Sequence, residues 1–311
     1  MQNTGPSSRR KVLIAFALLY LVWGSTYLAI AYAVATIPPY LMAGVRFVIA
    51  GTALYLWVRL RGGPRPTPAQ WRNAAVLGGL MLVLGIGTVS WAEQRVPSGL
   101  TALVIATVPL WLVVFHWLSG GPRPGPFRVL GIVLGLAGVG LLVQPGAHGG
   151  VDPIGAGVLC LATMSWAIGS LYARKADLPE SPLLTTAMEM LAGGVMNTAV
   201  GVAAGETAHL HLAAISAPSL FGLAYLIVFG SIIGYSAYTY LVSATTPARL
   251  GTYAYVNPVI AILLGWLVRG EPIGSRTLLA MAIIIGAVVL LTLSPRSPAS
   301  APRTNTGPAS G

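Results

Sequence analysis

Residues 12–34 read VLIAFALLYLVWGSTYLAIAYAV, and no charged residue occurs between Lys11 and Arg46. A helix of about 20 apolar residues is long enough to cross the hydrocarbon core of a bilayer. The basic residues 9–11 in front of this stretch would also suit a secretory signal peptide with a cleavage site at 33–35. We favour a membrane-spanning helix, because the apolar core of a signal peptide is shorter, about 7–15 residues.

Further apolar stretches follow, and the whole chain has the composition of a membrane protein. Of its 311 residues, 55% are hydrophobic and 8% are charged, whereas about 25% of an ordinary soluble domain is charged. The sequence therefore predicts an all-α integral membrane protein with ten transmembrane helices. The predicted spans are residues 12–34, 39–58, 73–91, 97–118, 127–144, 153–173, 182–204, 217–242, 249–268 and 276–293.

The distribution of basic residues predicts the orientation of these helices. If the N-terminus is cytoplasmic, 14 of the 18 Lys and Arg residues fall on the cytoplasmic side and three fall outside. This bias follows the positive-inside rule, so we expect a plasma-membrane protein with both termini in the cytoplasm. The predicted cytoplasmic tails are residues 1–11 and 294–311, which are rich in Ser, Pro, Gly and Ala and are both expected to be disordered. The net charge of +11 follows from this orientation and from contact with anionic lipid, and it requires no nucleic-acid partner.

The two halves of the chain resemble each other at matched positions. The clearest pairs are Trp23 with Trp166, Arg46 with Glu189, and Pro109 with Pro258. We therefore predict two five-helix repeats, residues 12–144 and 153–293. Because five is odd, the second repeat must enter the membrane from the opposite side. Inverted repeats of this kind are found in many secondary transporters, with the substrate site between the halves near the midplane.

Several short motifs give the chain a resemblance to a known family. They are Leu21-Val22-Trp23-Gly24-Ser25-Thr26-Tyr27, Arg46-Phe47, Tyr255-Val256-Asn257-Pro258-Val259, Leu264-Gly265-Trp266 and Gly270-Glu271-Pro272. In order and spacing they resemble those of EamA-type members of the drug/metabolite transporter superfamily, over about residues 12–293. The first half departs from the pattern, with Gly120-Gly121-Pro122 in place of Gly270-Glu271-Pro272. The resemblance implies a ten-helix transporter, often an exporter of amino acids or other small metabolites.

Aromatic and polar residues within the spans are candidates for substrate binding. Aromatic surface with a few hydroxyl and amide groups suits a small amphipathic solute. The candidates are Trp23, Thr26, Tyr27, Trp91, Tyr235, Tyr238 and Asn257. The alternative for the hydroxyls is helix packing, in which they bond backbone or neighbouring helices. The alternative for the tyrosines is an interfacial aromatic belt.

Two prolines and two charged residues stand out inside predicted spans. Pro109 and Pro258 would kink their helices and free backbone groups, so they are candidates for gating or for lining a cavity. Kinks without a direct role are also common. Arg46 and Glu189 are charges within the hydrocarbon, which are costly and mark functional sites by default. They either bind substrate, with Glu189 alternatively carrying a proton, or they serve as internal struts that bond neighbouring helices or reach polar surroundings.

The sequence lacks the HExxH, GxSxG and GxxxxGK[ST] motifs. We accordingly predict no catalytic residue, no metal, no cofactor and no direct ATP hydrolysis, with a small-molecule substrate and the lipid bilayer as partners. The favoured function is secondary transport by alternating access. The alternative is a membrane enzyme or scaffold acting on lipid, which would need carboxylates or histidines clustered at one interface. The sequence leaves the oligomeric state, the direction of transport and the coupling ion open.

Overall fold

The computed structural model describes residues 6–143, 152–245 and 247–293, and over these ranges the chain is helical with no strand. Within these ranges, helical segments occupy most of each predicted stretch. The main helices are α1 (Pro6–Ala33), α2 (Pro39–Leu60), α3 (Pro68–Ala92), α4 (Ser98–Leu118), α5 (Pro126–Val143), α6 (Pro153–Ala173), α7 (Pro182–Ala203), α8 (Ala217–Leu241), α9 (Tyr253–Arg269) and α10 (Ser275–Leu293).

Eight of the helices in the described ranges are long and apolar enough to cross a membrane. The two others are α9, which is apolar but shorter, and α7, which has 22 residues and carries Glu189. Helix α1 begins at Pro6, so residues 6–11, which the sequence predicted to be part of a disordered tail, are helical. The predicted disorder of residues 294–311 falls outside the described residues.

Local sequence explains where many helices begin and end. Proline, which needs no backbone N–H partner in a first turn, occupies the start of α2, α3, α6 and α7. The side chains of Thr67, Asp152 and Ser181 accept hydrogen bonds from the first turns of α3, α6 and α7. At the end of α9, Gly270 has a φ of +66°, a left-handed conformation that glycine adopts without strain.

Glycines bring α2 and α7 together in the most extensive helix–helix contact of the described chain. A Cβ atom at Gly51 would lie 2.8 Å from Leu191 N, and one at Gly194 would lie 2.7 Å from Val48 N. Small residues allow such close backbone approach in membrane helices. Arg46 and Glu189 are carried by this closely packed pair of helices.

Three helices depart from regular α geometry. Both α3 and α8 contain a stretch of wider, π-helical turns, at Gly78–Gly87 and Leu226–Ile233. Helix α4 is interrupted at Ala106 and Thr107, just before Pro109, whereas Pro258 lies inside the continuous α9. Irregular turns of this kind free backbone groups and often occur at functional sites.

Candidate substrate cavity

A cavity of about 290 Å³ lies between helices from both halves of the chain. Eight of the residues predicted from the sequence line it. They are Trp23, Thr26, Tyr27, Arg46, Pro109, Tyr235, Asn257 and Pro258. A space of this size is enough for a small solute, at the lower end of the usual range for ligand pockets.

Three of the predicted residues lie outside the cavity wall. The ring of Trp91 stacks under the guanidinium of Arg95, 4.7 Å from its carbon to the ring centre. Tyr238 lies behind Trp23, with the two ring centres 5.3 Å apart. Glu189 is 8% exposed, so it does not reach the surface, and its Oε1 atom has no hydrogen-bond partner in the described protein.

Trp23 is the centre of an aromatic cluster. Its ring meets Tyr235 edge-on at 5.2 Å and Tyr253 edge-on at 5.5 Å, while its other neighbour is the stacked Tyr238. The indole Nε1 donates a hydrogen bond of 3.3 Å to Gly230 O. These contacts from α8 and α9 hold the Trp23 ring in one orientation, so the cavity presents a rigid aromatic wall.

The hydroxyl of Thr26 does not project freely into the cavity. Its Oγ1 donates to Trp23 O at 2.7 Å, and the neighbouring Ser25 Oγ donates to Val22 O at 2.9 Å. Such bonds to the preceding helical turn satisfy hydroxyls in apolar surroundings. The backbone-bonding alternative for these hydroxyls therefore agrees with the structure, although Thr26 still contributes to the wall.

Arg46 is the sole charged residue in the cavity wall within the described ranges. It is 3% exposed, and its Nε donates a hydrogen bond of 2.9 Å to Ser231 Oγ on α8. Its Nη1 has no partner in the described protein. A buried cationic donor without an acceptor is costly, and an anionic ligand would remove that cost.

Asn257 supplies the complementary polar group. It is 6% exposed in α9, beside Pro258, and its Oδ1 is a buried acceptor without a partner in the described protein. An N–H group of a ligand would satisfy it. The cavity thus combines an unsatisfied cation, an unsatisfied acceptor and aromatic surface.

Sequence reasoning missed two aromatic residues of the wall, Trp166 and Tyr253. Trp166 carried a usable signal, because it is the repeat partner of Trp23. Tyr253 precedes the Tyr255-to-Val259 motif by two residues, but nothing in its spacing distinguishes a cavity residue from an interfacial tyrosine.

Two glutamates from the second half cap helices of the first half. Glu271 accepts hydrogen bonds from Ser98 N, Ser98 Oγ and Gly99 N at 3.0, 2.8 and 3.1 Å, at the start of α4. Glu206 accepts from Tyr40 N and Leu41 N at 3.2 and 2.9 Å, at the start of α2. We call these contacts the carboxylate clamps, and the end of the bundle where they lie the clamped end.

The clamps break the symmetry between the halves. The positive-φ glycines of the described chain form two pairs related by the repeat, Gly62 with Gly205 and Gly120 with Gly270. In the second half a glutamate follows each glycine, whereas in the first half another glycine follows. The clamps therefore occur at one end of the bundle, and the Gly270-Glu271 motif has a defined structural role.

The cavity is sealed at the clamped end and extends towards the other. At the clamped end its wall consists of Ile30, Val89 and Ala102, which are 2%, 3% and 1% exposed. At the opposite end it reaches Gly251 and Thr292, which are partly exposed. The structure therefore shows a conformation closed at the clamped end.

The chain is similar to known proteins over most of its length. The profile of the EamA-like transporter family matches residues 10–144 and again 153–293. The "Uncharacterized inner membrane transporter YedA" of Escherichia coli K12 is 43% identical over 296 residues, covering 93% of this chain and 94% of the relative. The "Uncharacterized transporter YvbV" of Bacillus subtilis is 25% identical over 286 residues, covering 92% of each.

A solved structure titled "Crystal structure of protein" shares the fold, with a TM-score of 0.62 at 20% identity, and covers 91% of this chain and 98% of its own. The bundle and its cavity, together with these relatives, define a multi-pass membrane transporter and not an enzyme. The chain belongs to the EamA-like transporter family of the drug/metabolite transporter superfamily.

Proposed function

We propose that this protein is a secondary transporter that exports a small anionic or zwitterionic metabolite, such as an amino acid, across the plasma membrane. The observation that carries this proposal is that one cavity is lined by both Arg46 and Asn257, whose Nη1 and Oδ1 atoms are buried without a partner in the described protein. A carboxylate would pair with the first, and an amino or amide N–H with the second. The aromatic cluster around Trp23 would cover the apolar part of the solute.

The proposed architecture is ten crossings in two inverted five-helix repeats, spanning residues 12–144 and 153–293. The two family matches, the paired π-helical segments of α3 and α8, and the paired positive-φ glycines all support it. In the orientation favoured by the positive-inside rule, the clamped end faces the outside and both termini face the cytoplasm. The cavity in the described conformation would then be reached from the cytoplasm, as loading of an exported solute requires.

The proposed mechanism is alternating access, in which the halves rock about the cavity. The moving parts would be the interrupted α4, the proline-containing α9 and the π-helical segments, where backbone geometry already departs from a rigid helix. Opening at the clamped end would break the carboxylate clamps, which cross between the halves. The other end has no equivalent clamps, because Gly63 and Gly121 occupy the positions that correspond to Glu206 and Glu271. Closing at that end therefore requires no such contacts to form.

The test is flux of labelled solutes in proteoliposomes that contain the full chain. The panel contains neutral, acidic and basic amino acids, the corresponding amines without the carboxylate, and sugars. Saturable flux is expected only for the members that carry a carboxylate. Arg46→Met should remove that selectivity. Flux of amines or sugars in preference to carboxylates would overturn the assigned substrate class, and an absence of flux from folded protein would overturn transport of solutes altogether.

A further inference from the structure

A second buried carboxyl group lies near the sealed end of the cavity, and neither the cavity wall nor the clamps use it. Glu93 directly follows the last residue of α3 and is 6% exposed. Both of its carboxyl oxygens are buried without a hydrogen-bond partner in the described protein. By contrast, the carboxyl oxygens of Glu206 and Glu271 at the same end all accept hydrogen bonds.

Glu93 lies one helical turn beyond the cavity wall. Its backbone N donates to Val89 O at 3.0 Å, and Val89 is one of the residues that seal the cavity. Residues four apart lie on the same face of a helix, so Glu93 continues the wall face of α3 towards the clamped end. It is also within electrostatic range of Tyr27 and Arg46, which line the cavity.

The surroundings of Glu93 do not supply a paired cation. The charged groups that act on it are Glu271, Arg269 and Arg46, and the guanidinium of Arg269 lies over the ring of Tyr32 at 5.4 Å.

On the side of α6, which packs against this part of α3, the charged neighbours are Arg95 and Asp152, which pair with each other at 3.8 Å. A buried carboxylate without a partner is strongly disfavoured, so the closed clamped end requires the neutral, protonated acid. In agreement, burial raises the pKa of Glu93 well above its usual range.

We infer that Glu93 is the proton-binding site that couples transport to a proton gradient. The inference rests on the proposed transport function. Solute that enters the cavity from the other side displaces the proton to that side, and the buried carboxylate left behind destabilises the closed clamped end, which opens. A proton from the solution at the clamped end then binds Glu93, so the neutral side chain can be buried and the closed conformation described here is favoured again. In each cycle one proton crosses the membrane in the direction opposite to the solute. Protons supplied at the clamped end thus drive the transporter back to the conformation that loads solute from the other side.

The first test is proteoliposome flux measured at equal pH and with the gradient imposed in each direction. One proton per cycle contributes about 1.4 kcal/mol per pH unit, so wild-type flux should change by up to about tenfold per unit. Glu93→Gln keeps the shape of the neutral acid but cannot release a proton, so its flux should not respond to the gradient, whatever its absolute rate. Glu180→Gln, at an exposed carboxylate, should respond as wild type does.

A gradient response retained in Glu93→Gln, or absent in the wild type that moves solute, would overturn the coupling role and leave transport standing.

A second measurement needs no substrate. The pKa of Glu93 is higher in the folded protein than in the unfolded chain. As the pH rises above the pKa of the unfolded chain, the buried side chain therefore destabilises the folded state increasingly. The Tm of the wild type should therefore fall with rising pH more steeply than that of Glu93→Gln. Parallel Tm profiles would overturn the proton site even if no transported solute is found.

Discussion

The guanidinium of Arg46 is held at one edge by Ser231, whose Oγ accepts a 2.9 Å hydrogen bond from Nε, while Nη1 has no partner in the described protein. The two residues come from α2 and α8, in different halves of the chain. This contact fixes the position of the only charge in the described cavity wall. The strut role predicted for Arg46 would use Nε, whereas the proposed contact with substrate would use Nη1.

Arg46→Met should weaken substrate binding, because it removes the charge at similar side-chain length. A hydrogen bond to a charged group contributes about 1.5–3 kcal/mol, so the half-saturating solute concentration should rise at least about tenfold. Ser231→Ala leaves the charge but frees its orientation, and a smaller rise is expected. Saturation curves in proteoliposomes measure both. Unchanged half-saturation in Arg46→Met would remove Arg46 from the substrate site.

Trp23→Ala should reduce flux without preventing membrane insertion, because it removes the ring that Tyr235, Tyr238 and Tyr253 hold in place. Trp23→Phe keeps an aromatic face and should retain more flux than Trp23→Ala. The control is Trp117→Ala, since Trp117 is 42% exposed on the outer surface of α4. Equal flux in all three variants would show that the aromatic cluster serves packing alone.

Asn257→Ala should lower the affinity for solutes that carry an N–H donor. The physical reason is the loss of the Oδ1 acceptor, whose hydrogen bond contributes about 0.5–1.5 kcal/mol. Matched pairs of solutes with and without an amino group, compared in the same vesicles, measure the effect. A similar loss for both members of each pair would assign Asn257 to helix structure beside Pro258.

Gly51→Ala should destabilise the bundle, because the new Cβ would lie 2.8 Å from Leu191 N and 3.0 Å from Ala187 O, both backbone atoms of α7. Overpacking of this kind costs about 1–3 kcal/mol. The matched control is Gly140→Ala, in α5, where a Cβ meets nothing within 4 Å. The Tm in detergent should fall for the first variant and stay constant or rise for the second.

Glu271→Ala should lower the Tm, because three donors at the start of α4 lose their acceptor. Loss of a helix cap costs about 0.5–2 kcal/mol. Glu206→Ala removes the other clamp and should act in the same direction, whereas Glu180→Ala at an exposed site should have little effect. If the clamped end must open during transport, weakening either clamp also shifts the protein away from the closed conformation described here.

Much of the fold could be predicted from the sequence because the bilayer imposes a simple rule. Apolar stretches such as 12–34 must be helical, since backbone polar groups in hydrocarbon have no water to bond. The helices α2, α6 and α7 accordingly begin and end close to the predicted limits, whereas α1 begins earlier, at Pro6. Helix α4 is interrupted two residues before Pro109, whereas α9 continues through Pro258, so the same residue type accompanies a break in one helix and none in the other.

The site was less predictable, because it depends on which helix faces meet. Trp91 and Tyr238 have the residue type expected of a binding wall, but they lie beside Arg95 and behind Trp23. Glu93 gave no signal at all, since an acidic residue just after a span normally reaches water. Its burial depends on how the helices pack at the clamped end, and that packing is a tertiary property.

The carboxylate clamps also constrain how the protein is made. Glu206 is separated by 165 residues from Leu41, and Glu271 by 173 residues from Ser98. A ribosome therefore completes the first five helices long before their acceptors at 206 and 271 have been synthesised. Until then the first turns of α2 and α4 lack these carboxylate acceptors. The nascent first half cannot reach its final stability, so insertion of the last helices is the step that completes maturation.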